Sequence, residues 1–190
     1  MKTKKLILFA SGNGSNVENI IKYFQSNSMV RVVLVASNNK NAYVLERIKS
    51  YNIESLVFDK YFYANKMLSL LDSYKPDLII LAGFLWKIPN EWIEKYRDKI
   101  INIHPSLLPK FGGKGMYGDY VHEAVIKAKV KKTGITIHVI DQNYDKGHIL
   151  FQSSFSLNSK DTIDSISKKV QLEEKKYYPK IIEEYLFNCK

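Results

Sequence analysis

Short apolar runs alternate with amphipathic segments along the first half of the chain. Four runs have the length of a buried strand: residues 6–10, 31–36, 55–58 and 78–82. Three segments between them repeat their apolar positions with helical spacing: residues 16–25, 41–51 and 61–74. The last run is apolar at every position, which is typical of a central strand covered on both faces. This alternation predicts βαβ units in a parallel sheet.

The second half of the chain follows a different pattern. Pro89 opens a predicted helix through residue 96, and the apolar strand after it ends in Asn102-Ile103-His104. A mobile glycine-rich loop is expected at residues 111–118 and a helix at 119–128. Two antiparallel strands follow at 134–139 and 149–152. The tail at 162–187 is predicted to be helical, with a break or kink at Pro179. Residues 1–190 therefore predict a single α/β domain. We expect a Rossmann-like, mostly parallel sheet with flanking helices and an antiparallel strand addition toward the C-terminus.

Composition and charge narrow the functional class. The apolar fraction of 45% predicts an ordinary globular core. The net charge of +10 comes from scattered lysines and arginines, so we expect a surface that attracts anionic small molecules rather than a nucleic-acid site. The single cysteine, Cys189, cannot form an internal disulfide, which favours a cytoplasmic setting. No stretch approaches the roughly 18 apolar residues of a membrane helix, so no membrane association is expected.

The tripeptide Asn102-Ile103-His104 is the first candidate for chemistry. Residues two apart on a strand point to the same side, so the amide and the imidazole should project together beyond the sheet. An amide is a fixed hydrogen-bond donor, and an imidazole exchanges a proton near neutral pH. The pair suits a reaction at a carbonyl group, where negative charge grows on oxygen and protons move. A purely structural pair on a strand is the alternative.

A glycine-rich turn between the first strand and the first helix is the second candidate. It has the sequence S-G-N-G-S-N at residues 11–16. Its glycines permit a tight turn, and the free N–H groups at a helix start suit a phosphate. Val17 occupies the position of the third glycine of a dinucleotide motif, and no Walker lysine follows, so neither of those nucleotide sites is expected. A plain strand-to-helix turn is the alternative. The histidines lack the spacing of a metal site, so no metal is expected.

Several strings together resemble one known family. The run N-I-H-P-S-L-L-P at residues 102–109, Asp145 in a D-x-G context and P-D-L-I-I-L-A-G-F at residues 76–84 resemble the signature of folate-dependent formyltransferases. The S-G-N-G-S-N loop resembles the branch that formylates glycinamide ribonucleotide. This likeness covers about residues 6–179. It implies the formyltransferase fold, 10-formyltetrahydrofolate as co-substrate and a role in purine biosynthesis.

The resemblance also implies roles for individual residues. The catalytic residues would be Asn102 as a donor to the formyl oxygen, His104 as the group that stabilises the oxyanion and moves protons, and Asp145, which would orient His104 and raise its pKa. The N-terminal half would bind the ribonucleotide and its phosphate through Gly12, Asn13, Gly14, Ser15, Asn16, Val17 and Lys60, joined by Gln171 and Glu174 from the tail. The C-terminal half would supply catalysis and folate contacts. The implied folate-binding residues are Phe84, Leu85, Trp86, Lys87, Ile88, Asn102, His138, Ile140, Asp141, Gln142, Tyr144 and Asp145.

Two departures and two alternatives qualify this assignment. Trp86 stands where many relatives have arginine, and Lys60 is the nearest match to an arginine on the ribonucleotide side. A formyltetrahydrofolate hydrolase, which would use water in place of the amine, is one alternative activity. A non-catalytic Rossmann-type nucleotide-binding module is the other, although it would not need the three catalytic residues together.

The expected partners are small molecules only, with the protein a monomer or homodimer. Residues 110–117 are expected to act as a lid.

Overall fold

The computed structural model describes residues 2–188, so the prediction based on Cys189 lies outside the described residues. The strands of this part of the chain are β1 (Lys4–Phe9), β2 (Val30–Ser37), β3 (Glu54–Val57), β4 (Leu78–Leu81), β5 (Ile100–His104), β6 (Lys132–Val139) and β7 (Ile149–Ser156). The helices are α1 (Ser15–Phe24), α2 (Val44–Arg47), α3 (Lys60–Asn65), α4 (Met67–Tyr74), α5 (Asn90–Lys95), α6 (Asp119–Lys127) and α7 (Ile163–Asn188), with a 3₁₀ turn at Lys49–Tyr51. Among residues 2–188, none of these helices is long and apolar enough to span a membrane.

The strands form one sheet in the order β3-β2-β1-β4-β5-β6-β7. Strands β1 to β5 pair in parallel, whereas β6 is antiparallel to β5 and β7 is antiparallel to β6. The predicted mostly parallel α/β sheet with an antiparallel addition is therefore confirmed. Chain order reverses between β1 and β4, and such a switch point leaves a crevice at the carboxyl ends of the strands.

Two hydrophobic layers cover the two faces of the sheet. Alternate residues of a strand point to opposite faces, and β1 follows this rule closely. Leu6 and Leu8 pack with apolar residues of α1, α6 and α7. Ile7 and Phe9 pack on the other face with residues of α3, α4 and α5. The sheet is thus buried on both sides, and the strand ends form the surface available for a site.

Three predicted helices differ in detail from the structure. The helix expected at residues 41–51 is reduced to α2 and the 3₁₀ turn, because a turn in which Ala42 N–H donates to the Asn39 carbonyl delays its start. The helix expected at 61–74 divides at Lys66, for which the structure offers no cause. Helix α7 runs through Pro179 without a break. Buried packing holds it there, and the Tyr178 hydroxyl donates to the Leu81 carbonyl at 3.0 Å.

Candidate active site

The carboxyl ends of β4 and β5 open into a cleft of about 680 Å³. Three loops line it with them: the glycine loop (residues 12–16), the loop at 83–88 and the glycine-rich loop at 113–118. The segment after β6 and one face of α7 complete its wall. The switch point of the sheet therefore brings together segments from both ends of the chain, as its position predicts.

Asn102 and His138 face each other across the β5–β6 ladder. The two residues are register partners, and Asn102 Nδ2 lies 3.1 Å from His138 Nε2. His138 Nδ1 lies 3.1 Å from the Val139 carbonyl oxygen, which can only accept a hydrogen bond. A neutral ring therefore carries its proton on Nδ1, and Nε2 accepts from Asn102. This contact uses one of the two amide hydrogens of Asn102 and leaves the other for a ligand in the cleft.

His104 is buried at the end of β5, with both ring nitrogens facing polar groups. Its Nε2 lies 2.8 Å from the Phe111 carbonyl oxygen, so Nε2 bears the proton in the neutral ring. Its Nδ1 faces Asp145 Oδ2 at 3.6 Å, beyond hydrogen-bond length. The hydrogen bond to the Phe111 carbonyl, and not the Asp145 carboxylate, thus fixes the orientation of the imidazole. Nδ1 is left as the basic atom.

Burial sets the protonation of His104. It lowers the pKa of this imidazole below its ordinary value, and the opposing effects of Asp145 and the Phe111 carbonyl are smaller. The sequence predicted that the Asp145 carboxylate would raise the pKa of His104. Asp145 does act in that direction, but the pKa of His104 is lowered overall. The physical reason is that a charge loses more hydration in this pocket than a carboxylate at 3.6 Å restores. His104 is neutral at pH 7 and able to accept a proton.

Asp145 lies between the two imidazoles. Its Oδ1 is 3.6 Å from His138 Nε2, and its Oδ2 accepts a hydrogen bond of 2.8 Å from Gly113 N–H. Burial alone would raise the pKa of Asp145, but the Gly113 N–H and the positive charge that His138 or His104 carries when protonated hold it below its ordinary value. Gly147 explains the D-x-G spacing, because a Cβ there would lie 1.8 Å from the Val139 carbonyl oxygen. The result is an ionised carboxylate beside two histidines.

The glycine loop leaves the start of α1 open to the cleft. Gly14 precedes the helix with a φ of 76°, and no side chain caps the first turn. A Cβ on Gly14 would lie 2.4 Å from the Val44 side chain, so backbone conformation and packing both require glycine. The free N–H groups and the helix dipole favour an anion here. Ser15 and Asn16 line the cleft beside them.

Helix α7 brings a carboxyl group to the end of the cleft that the glycine loop lines. Gln171 and Glu174 both line it, and Asn16 Nδ2 donates to Glu174 Oε2 at 2.9 Å. Burial of the carboxyl raises the pKa of Glu174 to about 7, and the Asn16 hydrogen bond only partly opposes this. Glu174 therefore changes its charge near neutral pH.

An aromatic wall forms the other end of the cleft. The Trp86 ring lies 5.3 Å from the Tyr63 ring and 5.8 Å from the Phe58 ring, and Phe84 contacts the same group. Trp86 is thus anchored by edge contacts rather than by charge. Lys87 Nζ lies 5.8 Å from the Tyr144 ring, which links the two loops that flank this end. Leu85, Ile88, Ile140 and Asp141 also line it.

Three predicted binding residues do not line the cleft. Val17 is fully buried with the apolar face of α1, because the helical period turns it away from the loop. Lys60 is exposed in the first turn of α3. Gln142 is exposed because Asp141 accepts a hydrogen bond from the Asn143 N–H in a local turn that points residue 142 outward. We therefore assign these side chains no ligand contact.

Among the lining residues missed at the sequence level are His122 and Ser167. His122 is buried on α6, and its Nδ1 has no hydrogen-bond partner within residues 2–188. Its position among Val121 and Val125 on one helix face suggested burial, but not proximity to the cleft. Over that same part of the chain, no three or more histidine, cysteine or carboxylate side chains are arranged so that they could hold a metal ion.

A family model gives an independent comparison. The model, described as formyl transferase, matches residues 4–182, which is nearly the whole chain. The chain belongs to the formyl transferase family. The resemblance inferred from its motifs is thereby confirmed.

Several relatives of this formyl transferase carry the name phosphoribosylglycinamide formyltransferase. Phosphoribosylglycinamide formyltransferase of Bacillus subtilis is 35% identical over 190 residues, covering 96% of this chain and 95% of that protein. The chloroplastic phosphoribosylglycinamide formyltransferase of Arabidopsis thaliana is 38% identical and covers 95% of this chain. The chain spans 65% of that relative's length, slightly under two thirds. A crystal structure of phosphoribosylglycinamide formyltransferase from Anaplasma phagocytophilum matches with a TM-score of 0.90 at 32% identity, covering 98% of this chain and 88% of that one.

Replacing Glu174 with glutamine should stabilise the free formyl transferase in alkaline solution. The folded-state pKa of about 7 lies above the ordinary value of 4.5, so the folded protein keeps a proton that the unfolded chain loses. The free energy of unfolding therefore falls as pH rises from 4.5 to 7, and glutamine removes this loss. Melting temperatures at pH 5 and pH 8.5 check this. The variant should gain much more over the parent at the second pH than at the first, and an equal difference at both would contradict the assignment.

Proposed function

We propose that this formyl transferase moves the formyl group of 10-formyltetrahydrofolate to the primary amine of glycinamide ribonucleotide, a step of purine biosynthesis. One observation carries the proposal: Asn102, His104 and Asp145 line the same cleft as an open glycine loop at a helix start. The names of the relatives support the same substrates. A cytoplasmic location and a monomeric or dimeric state stay predictions.

The reaction can be written on the residues of the cleft. The substrate amine attacks the formyl carbon, and an oxyanion forms on the formyl oxygen. Asn102 donates its free amide hydrogen to that oxygen, and loss of such a donor typically lowers a rate about 10²–10³-fold. His104 accepts a proton from the attacking nitrogen at Nδ1, and the imidazolium then faces Asp145. Breakage of the bond between the formyl carbon and folate N10 returns this proton to N10.

The ribonucleotide occupies the end of the cleft formed by α1 and α7. Its phosphate binds the N–H groups of the glycine loop, and Asn13 and Ser15 add side-chain donors. Gln171 and Glu174 contact the ribose and amine region from α7. The chain's net charge of +10 favours the approach of this anionic substrate.

The folate occupies the aromatic end of the cleft. Its flat pterin ring needs apolar walls with a few polar groups, and the loops at residues 83–88 and 140–145 offer both. Trp86 stands where many relatives have arginine, so no charged side chain is available at this position. We therefore propose that backbone groups of the loop at residues 83–88 orient the pterin. Residues 113–118 border the same space, and the lid that we expect at residues 110–117 would close over it.

An absorbance assay with each substrate omitted in turn tests the proposal. Purified protein should deformylate 10-formyltetrahydrofolate only when glycinamide ribonucleotide is present. The formylated ribonucleotide should accumulate in equal amount. Deformylation without the amine would identify a hydrolase, and binding of ribonucleotide without turnover would identify a binding module.

A further inference from the structure

We propose that Arg47 is a positioning residue for phosphate recognition, because its guanidinium turns the side-chain amide nitrogen of Asn13 toward the ribonucleotide phosphate. Arg47 is the last residue of α2 and does not itself line the cleft. This inference rests on the proposed function, since it takes a phosphate as the occupant of the glycine loop.

All three guanidinium nitrogens of Arg47 are committed to hydrogen bonds. Nε donates to the Asn13 carbonyl oxygen at 2.8 Å and to Asn13 Oδ1 at 3.0 Å. Nη2 donates to the same Oδ1 at 2.6 Å. Nη1 donates to Glu18 Oε2 at 2.6 Å. The arginine thus holds both the backbone and the side chain of one loop residue.

These contacts decide which way the Asn13 amide faces. A guanidinium has donors only, so the amide oxygen must point to Arg47 and the Nδ2 group must point away from it. Asn13 lines the cleft. Its side chain makes hydrogen bonds within residues 2–188 only through Oδ1, so Nδ2 has no acceptor there. The two Nδ2 hydrogens are therefore available to an acceptor such as a phosphate oxygen.

The same short helix braces the loop at a second point. Val44, the first residue of α2, donates its N–H to the Gly12 carbonyl at 3.1 Å, and its side chain fills the space beside Gly14. Without such contacts, the glycines on either side of Asn13 would leave the loop free to turn. Arg47 adds the one contact that fixes a side chain rather than the backbone alone.

Charge is the smaller part of the effect. Glu18 stands in the first turn of α1, where its carboxylate would oppose an anion at the helix start, and Arg47 and Lys22 both pair with it. Partly exposed ion pairs change affinity by less than about fivefold. A donor lost from a hydrogen bond to a charged group changes it by about 10–100-fold. Orientation of Asn13 should therefore dominate.

Steady-state kinetics of Arg47→Ala on two substrates tests the inference. For glycinamide ribonucleotide, KM should rise about 10–100-fold while kcat changes less than about twofold. For the ribonucleoside that lacks the phosphate, kcat/KM should equal that of the parent protein. Asn13→Asp keeps an acceptor for Arg47 but removes the Nδ2 donor, so it should reproduce the phosphate-dependent defect. Arg31→Ala removes an equal charge at the opposite end of the sheet and serves as the control.

A second readout does not depend on turnover. Titration with inorganic phosphate should shift the Asn13 side-chain amide resonance of the parent protein and not that of Arg47→Ala. Arg47→Lys cannot bridge both oxygens of Asn13, so its phosphate-induced shift should lie between those of the parent and of Arg47→Ala. This variant also covers the case in which Arg47→Ala fails to fold. If Arg47→Ala lost kcat/KM equally on the ribonucleotide and the ribonucleoside, Arg47 would only support the fold of the loop. An unchanged KM for the ribonucleotide would contradict its role in phosphate recognition. Inactivity of the parent protein with phosphate binding intact would instead refute the proposed function.

Discussion

His104→Ala is expected to lower kcat for formyl transfer about 10²–10⁴-fold. The variant loses the basic Nδ1 that, in the proposed mechanism, accepts the amine proton and later returns it to folate. The Phe111 carbonyl that orients the ring and the Asp145 carboxylate that faces Nδ1 cannot supply a base in its place. Steady-state rates with both substrates saturating measure the loss. The binding constant for the ribonucleotide should change little, because its proposed contacts lie at the other end of the cleft.

The pH profile distinguishes this role from a packing role. In the parent protein, kcat/KM should fall as pH drops through the pKa of His104, which burial holds below its ordinary value. That acidic limb should be absent in the alanine variant. His148→Ala removes an exposed histidine after the Asp145 loop and should leave both rate and profile unchanged. A His104→Ala variant with the parental profile would refute the assignment.

Asp145→Asn is expected to lower kcat about 100-fold or more. Asparagine can still accept the Gly113 N–H, and it tolerates the left-handed backbone at this position, where φ is 56°. The fold should therefore survive. Its amide carries no charge, so the imidazolium of His104 loses its counter-ion during transfer. The pKa of His104 should fall further, and the acidic limb of the pH profile should move to lower pH.

Asp98→Asn provides a matched control for this change. Asp98 also has a left-handed backbone, with φ of 59°, and its side chain is exposed away from the cleft. This variant should keep the parental kcat and pH profile. An Asp145→Asn enzyme with a kcat within about threefold of the parent would show that the carboxylate only shapes the turn before Gly147.

The periodicity of the sequence was enough to predict most of the fold. The run at residues 78–82 was correctly identified as a central strand, because a strand covered on both faces must be apolar at every position. Helix ends were harder to predict. The Asn39 turn that shortens α2 and the packing that carries α7 through Pro179 depend on contacts that a local pattern does not contain.

The residues of the candidate site also differ in how well a local pattern predicted them. The motif N-x-H placed Asn102 and His104 on one side of a strand end, and both line the cleft. Val17 and Gln142 were assigned by their neighbours in sequence, but a helical period and a local turn direct them elsewhere. His122 was missed because only the packing of α6 brings it to the cleft.

The sequence by itself determined the strand and helix order, the glycine loop, the amide–imidazole pair and the family, because periodicity and motif spacing are local properties. Only the tertiary structure decided the charges and orientations. Glu174 meets Asn16 across 158 positions of the chain, and its burial raises its pKa to about 7. Burial likewise outweighs Asp145 in setting the charge of His104. Solvent exclusion and contacts between distant segments arise only when the layers pack, so no local pattern could predict them.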